Sequence, residues 1–424
     1  MVRGDTLLVS RVAGVESGAK PSDSICVHLR SSAAKSLYDP SMKRDYEYIV
    51  LGLGGFGSAA AYWLSRRGGA EVLGLEQFEL GHARGESQDH SRIIRLSYHA
   101  RHYVELAKHA YQAWAELERE AGEQLILRTG GLDFAAHGNS GVMNDCAVSM
   151  DAADVPYERL DAAEIMRRWP PFRLTSDMEG LYQEQSGIAM AAKANGTHQR
   201  MAVNQGATLR PRTRCEAIRP SKGEVEIVAN GTLYRCRHLI LTAGAWSNRV
   251  LAAFGLQLPL KVTQEQVTYF AAPRPSDFDP DRFPVWIWRG TPSFYGFPIF
   301  GEAGPKVGQD GGGKEVTAET RTFDPDLPAL RRVQSFLQQR IPSALGPIIY
   351  TKSCLYTLMP DRDFVLDQVP GHPEVHVALG GGHGFKFASL IGKILAELAV
   401  DGRTEHQLEH FRFDRAVLEQ AKPD

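Results

Sequence analysis

Cysteine is scarce: Cys26, Cys146, Cys215, Cys236 and Cys354 are scattered over 424 residues, with no CxxC pair among them. An odd, dispersed set argues against a disulfide framework and against a structural zinc site. No metal is therefore expected, and a reducing compartment is the simplest reading. Long hydrophobic runs are missing too. Nowhere do about 18 apolar residues follow one another, which excludes a membrane-spanning helix. Nor does one sign of charge dominate, since Lys+Arg 48 against Asp+Glu 50 leaves a net charge of -2. There is thus no basic field to draw the chain to nucleic acid or anionic lipid. What remains is ordinary globular material, 43% hydrophobic and 23% charged, in a length that suits two or three domains.

Residues 1–44 read as a disordered extension. The first 41 are rich in Ser, Gly and Ala, without sustained periodicity or an apolar run suited to a secretory signal. Asp5, Glu16, Asp23 and Asp39 break the acid-poor pattern of a transit peptide, while Arg3, Arg11, Arg30 and the serines leave organelle targeting open. Otherwise a cytoplasmic protein is expected, with Met42 opening its globular part.

From Tyr46 the pattern changes. Tyr48-Ile49-Val50-Leu51 is a β-favouring run, Ser58 to Arg67 reads as an Ala-rich helix, and Val72-Leu73-Gly74-Leu75 is a second strand ending at Glu76. Between the first strand and the helix stands Gly52-Leu53-Gly54-Gly55-Phe56-Gly57, a GxGxxG. Gly52 permits a tight turn, Gly54 lets backbone approach a pyrophosphate, and Gly57 lets helix and strand pack closely. The helix N-terminus then faces the phosphates. Glu76, about 20 residues on, is placed to bind ribose hydroxyls. Its negative charge disfavours a 2′-phosphate, so NADP is the weaker fit and FAD and NAD both remain open.

An amphipathic helix follows over Tyr103 to Glu120, with Tyr103, Leu106, Ala107, Ala110, Trp114 and Leu117 on one face. A further helix is expected at Ala194–Ala202 and a strand at His238–Ala243. Val262 to Gly308 alternates aromatic and polar residues like an antiparallel sheet. The end returns to β-α, with a strand at Val375–Leu379, a glycine turn, and a helix over Ser389–Val400.

Four blocks, in order, carry a resemblance to a known family. They are Gly85-Glu86-Ser87-Gln88-Asp89-His90-Ser91-Arg92-Ile93-Ile94-Arg95, then Tyr295-Gly296-Phe297-Pro298 with Lys306-Val307-Gly308, then Cys354-Leu355-Tyr356-Thr357, then Gly382-His383-Gly384-Phe385-Lys386-Phe387. From Tyr46 to Asp414 the chain resembles the monomeric sarcosine oxidase and N-methyltryptophan oxidase group of FAD-dependent amine oxidases, within the D-amino-acid-oxidase-like superfamily. The resemblance implies an α/β plus α+β fold, in which a discontinuous Rossmann-type FAD-binding domain (45–126, 190–258 and 356–418) accompanies a smaller antiparallel-sheet substrate domain (127–189 and 259–355).

It also implies roles for single residues. A lone cysteine is usually a small buried hydrophobe, but Cys354 matches the family cysteine that forms a thioether to the flavin 8α carbon, so covalent FAD is expected. Arg95 and Lys386 match a clamp for a substrate carboxylate, the guanidinium offering two parallel donors and the ammonium a point charge. Lys306 matches the lysine that activates O2, a fixed positive charge beside developing superoxide. Arg92 and Ser91 lie near the flavin. Gly382, His383 and Gly384, with Lys386, bring backbone and a helix N-terminus to the ring. Tyr295 and Tyr356 line the substrate pocket. Gln88 and Asp310 depart from the family, standing where histidines are usual, and bear on which substrate is taken.

The implied activity is oxidation of a secondary, N-methyl or cyclic, amino acid. O2 is reduced to H2O2, and formaldehyde is released from N-methyl substrates by a monomer that needs no macromolecular partner. The amine must enter neutral, and alkylammonium pKa values near about 10 make turnover rise with pH. The alternatives are a dehydrogenase passing electrons to a carrier, an NAD-dependent dehydrogenase, and a catalytically silent flavin-binding protein.

Overall fold

A computed structural model describes residues 43–139, 141–221 and 223–420. All but the last two residues of the expected N-terminal extension, and every targeting feature read in it, lie outside the described residues.

The first strand, Asp45–Leu51, lies parallel between Thr232–Leu241 and Val72–Leu75, and Thr208–Arg210 extends the sheet beyond Val72–Leu75. On the far side of Thr232–Leu241 its second half takes His372–Leu379 in parallel. Its first half carries the antiparallel pair Glu224–Ala229 and Cys215–Ser221, and Val365–Val369 closes on His372–Leu379, completing an eight-stranded sheet. The strand expected at His238–Ala243 is thus longer at its start and ends at Leu241, because Thr242 turns to bond Gly52.

The helix Gly55–Gly68 begins within the glycine hexapeptide itself, three residues before the expected Ser58. It is buried along most of its length, packed against the helices Ala191–Asn204 and Ala388–Asp401. Packing between two helices is why it is built from Ala59, Ala60 and Ala61 rather than from larger side chains. Arg101–Ala121 buries the apolar face read from its sequence, and Gly122 caps it in the left-handed region.

A second, nine-stranded sheet runs through Lys261–Phe270, Pro305–Gln309, Phe294–Ile299, Val285–Trp288, Gly131–Ala136 and Met178–Gln183, with Ile348–Leu358 along the other edge of Lys261–Phe270. It is antiparallel except at one pairing, where Val285–Trp288 lies parallel to Gly131–Ala136. Alternation along a strand says which face a residue takes but not which way its neighbour runs. One face packs on a helix that the sequence reading lacked, Leu327–Arg340, whose Phe336 stacks on Phe294 and Trp286 at centroid distances of 4.5 and 5.5 Å. The opposite face is left for the site.

Candidate active site

Two cavities meet at shared walls. The larger, about 360 Å³, runs over Gly52, Gly54 and Glu76; the smaller, about 120 Å³, lies on the free face of the nine-stranded sheet. Arg92, Tyr356, Gly382 and Phe385 line both.

The larger cavity is shaped mainly by backbone. Gly52 holds φ +95, and a Cβ on Gly57 would fall 1.8 Å from the Gly52 carbonyl oxygen, so only glycine lets the helix start so close to the strand. Gly57 therefore lies beneath the cavity rather than in its wall. Glu76 is buried, its two oxygens accepting from Leu53 N–H at 2.9 Å and Phe78 N–H at 3.0 Å. Those bonds fix a carboxylate at the rim. Buried Asn195 brings an amide oxygen without a partner into the same wall. Glu86, not singled out from sequence, also lines it; burial pushes its carboxyl up to about 7, against a hydrogen bond from the Thr357 hydroxyl.

The smaller cavity is shaped by side chains. Lys352, Cys354 and Tyr356 alternate along Ile348–Leu358 and so share one face. Tyr295 and Phe297 repeat that spacing on Phe294–Ile299, Ile287 and Arg289 repeat it across the end of Val285–Trp288, and Lys306 lies on Pro305–Gln309 with Asp310 just past its end. Gln88 to Arg95 and the turn Gly382–Lys386 close the other sides. Cys354 is a free thiol whose pKa burial pushes up to about 11, although nearby Arg92 works against the shift.

Lys306 is 2% exposed and donates to Asp89 at 2.6 Å, to the Ser91 carbonyl at 2.8 Å and to the Ser91 hydroxyl at 3.0 Å. Burial pulls its pKa down to about 8, while Asp89 opposes the fall. Burial would raise Asp89, but Lys306 and Arg92 outweigh it and hold that carboxyl well below the usual range. Both are charged at neutral pH. Asp89 sits at φ 114, a strained backbone for a non-glycine residue, held by Lys306, Tyr269 and Arg92. Ser91, expected at the cofactor, spends its hydroxyl on Lys306 and lines neither cavity. Arg92 donates to the carbonyls of Glu86, Gln88 and Ser91 at 2.7 to 2.9 Å, which pins the loop that forms the shared wall.

Arg95 and Lys386 come together. Arg95 stacks on Tyr98 at 3.9 Å. Lys386 donates to the His383 carbonyl at 2.8 Å, and its own carbonyl accepts from Trp114, which ties the turn to Arg101–Ala121. Among the described residues neither has a carboxylate within ion-pair reach. Burial, then the Arg95 charge, pulls the Lys386 ammonium well below its ordinary pKa. Two cations held together without a counter-ion favour an arriving anion. Gly382 and Gly384 lie in the larger cavity's wall and His383 in the smaller one's. The helix after this turn starts only at Ala388, one 3₁₀ turn beyond Gly384. Arg289 and Lys352 line the smaller cavity but were not among the sequence candidates. Each stands two residues from another lining residue, Lys352 within its strand and Arg289 one residue past the end of Val285–Trp288, the spacing that could have found them.

The family model described as FAD dependent oxidoreductase matches residues 47–398. A monomeric sarcosine oxidase of Streptomyces avermitilis is 35% identical over 382 residues, covering 87% of this chain and 97% of that protein. An N-methyl-L-tryptophan oxidase of Escherichia coli O81 (strain ED1a) is 29% identical over 380 residues, covering 87% and 99%. Among solved structures, NikD, described as an unusual amino acid oxidase essential for nikkomycin biosynthesis, matches with TM-score 0.78 and 26% identity over 87% of this chain and 98% of that one.

Proposed function

The chain belongs to the FAD dependent oxidoreductase family, and from that premise we propose that it is an FAD-dependent oxidase of secondary amino acids, N-methyl or cyclic. For an N-methyl substrate the balanced reaction takes up O2 and water and releases the primary amino acid, formaldehyde and H2O2. The observation that carries this reading is the pair Arg95 and Lys386, without carboxylate partners among the described residues, in a cavity sharing walls with the dinucleotide-shaped one.

The residues present fit the cofactor: a helix start that admits no Cβ at Gly57, an orphaned buried amide at Asn195, and a fixed carboxylate at Glu76. Gly52 and Gly54 would take the pyrophosphate and Glu76 the ribose, while Arg92, Gly382, His383, Gly384 and Lys386 would surround the ring. Bound FAD supplies the two-electron redox chemistry. Arg95 and Lys386 hold the substrate acid group and thereby fix the carbon to be oxidised, an orientation effect worth several kcal/mol. Tyr295 and Tyr356 wall the pocket as neutral phenols, because burial pushes both pKa values up. Lys306 supplies a fixed positive charge for O2, held protonated by Asp89. Cys354 would be the residue that holds the cofactor covalently, as a thioether, with the Arg92 charge favouring its thiolate.

We assign the FAD-binding domain to 45–126, 190–258 and 356–418, and the substrate domain to 127–189 and 259–355. The eight-stranded sheet draws only on the first set. The nine-stranded sheet draws on the second, save where Ile348–Leu358 crosses the boundary.

The test is anaerobic bleaching of the purified yellow protein by a panel of secondary amino acids, followed by H2O2 measurement on admitting air. Bleaching without H2O2 would turn the reading to a carrier-coupled dehydrogenase, and no bleaching would leave a silent flavoprotein. Activity should rise with pH, log(kcat/KM) climbing toward the amine pKa near about 10. Acid denaturation should leave the colour on the polypeptide, and Cys354→Ser should release it.

A further inference from the structure

The smaller cavity carries more positive charge than one carboxylate can use. Six cationic side chains, Arg92, Arg95, Arg289, Lys306, Lys352 and Lys386, line about 120 Å³, against the carboxylates of Asp89 and Asp310 alone. Asp89 is committed to Lys306, and Asp310 bonds Arg362 at 2.9 Å, outside the lining.

The excess is not spread evenly. Arg289 is tied to Arg95 through a polar chain: Arg95 Nη1 donates to Ser97 Oγ at 3.4 Å, and Ser97 Oγ donates to Asp133 Oδ2 at 2.5 Å. Asp133 Oδ1 then takes Arg289 Nε at 2.6 Å and stands 2.5 Å from Nη2. Asp133 is 4% exposed and reaches Arg289 from behind, absent from the cavity lining. It occupies one edge of the guanidinium and leaves Nη1 without a partner among the described residues. The backbone is fixed as well, Arg289 N–H donating to the Phe134 carbonyl at 2.9 Å. This is an arginine oriented by a buried carboxylate, in the lining of the same cavity as Arg95 and Lys386. A single carboxylate gripped by Arg95 and Lys386 is already matched in charge by those two cations, so Arg289 is a further cation beyond what one acid group balances.

Building on the oxidase reading above, we propose that the substrate is a small secondary amino acid carrying a second acid group, and that Arg289, oriented by Asp133 and Ser97, binds that group. Iminodiacetate is the simplest member of the class. Its oxidation balances as iminodiacetate plus O2 plus water giving glycine, glyoxylate and H2O2. N-methylaspartate is another.

The test uses the holoenzyme and two thioether isosteres with sulfur in place of the amine nitrogen: thiodiacetate, with two acid groups, and methylthioacetate, with one. Calorimetric titration should show thiodiacetate binding at least tenfold more tightly, and kcat/KM should favour iminodiacetate and N-methylaspartate over sarcosine and N-methylalanine. Arg289→Gln leaves Asp133 buried without its cation and endangers folding, so the second variant is Arg289→Gln with Asp133→Asn, which keeps the site neutral. In either variant that folds, the preference for two acid groups should shrink to less than threefold, and Arg289→Lys should keep part of it.

Equal binding of the two thioethers by the unaltered protein overturns the proposal, as does a preference that survives in the double variant. If methylthioacetate binds and mono-acid amines are oxidised while diacids gain nothing, this proposal alone fails. If neither thioether binds and no amine is oxidised, the oxidase reading falls and this one with it.

Discussion

The two cavities solve recognition in opposite ways. The larger is walled by glycines and by backbone N–H groups braced on Glu76, contributed by short stretches whose spacing is fixed by strand and helix geometry. The smaller is walled by charged and aromatic side chains from strands and turns scattered between Gln88 and Lys386. A backbone site tolerates little change where its glycines stand closest: a Cβ on Gly52 would fall 2.6 Å from the Thr242 carbonyl oxygen, and one on Gly57 1.8 Å from that of Gly52. A side-chain site can be rewritten one residue at a time with the sheet intact. One cavity can therefore keep its ligand while the adjoining one changes substrate.

The comparison breaks most sharply at Gly57. Gly57→Ala puts a methyl group 1.8 Å from a carbonyl oxygen, so the helix must retreat from the strand. The expected result is loss of bound flavin and destabilisation of about 3 kcal/mol or more, read from the flavin-to-protein absorbance ratio and from the urea midpoint. The counterpart at the other end is Lys306→Met, which strands the buried carboxylate of Asp89. That costs about 3–5 kcal/mol, and adding Asp89→Asn should recover much of it. The pair also sets an acid limit. Asp89 titrates below its unfolded value, so its contribution is complete above about pH 4 and is lost as pH falls further. The double variant should show a flatter stability profile below pH 4. A smaller effect is expected for Ser97→Ala, which removes a 2.5 Å bond to Asp133. We expect about 1–2 kcal/mol and a larger rise in KM than fall in kcat, since the change frees Arg95 and Arg289 from each other.

The same contrast explains what the sequence made legible. GxGxxG, its flanking strand and helix, and Glu76 are local, and the helices expected over Tyr103 to Glu120 and Ser389–Val400, found at Arg101–Ala121 and Ala388–Asp401, show their apolar residues in the sequence itself. The aromatic middle announced a sheet. Its one parallel pairing did not show, because pairing partners are set by chain path rather than by alternation. The helix Leu327–Arg340 was missed although Asp326 caps it by accepting from Ala329 N–H. Asp89 was in view within a quoted block, yet its partner lies 217 residues away, and no spacing rule joins them. Arg289 sat inside the stretch Val262 to Gly308 read as sheet, yet falls one residue past the strand Val285–Trp288.

Glu86 sharpens the contrast by crossing it, a second acid side chain beside Glu76 in a wall built largely of backbone. Burial raises its folded pKa to about 7, above an unfolded value near about 4.3. The folded state therefore keeps a proton that the unfolded state gives up, and stability must decline as pH rises through that window. Thr357 and the Arg92 charge soften the effect without reversing it, since both favour the carboxylate and the shift is still upward. Glu86→Gln keeps the shape and the Thr357 contact but cannot ionise. Its gain over the unaltered protein should be near zero at pH 4 and rise to about 2 kcal/mol by pH 8, after discounting for the solvent its carboxyl still meets. Thermal melting of both proteins at four pH values measures this directly. A gain that is constant across the range would mean that Glu86 is ionised throughout, and that this wall accepts charge as readily as the other.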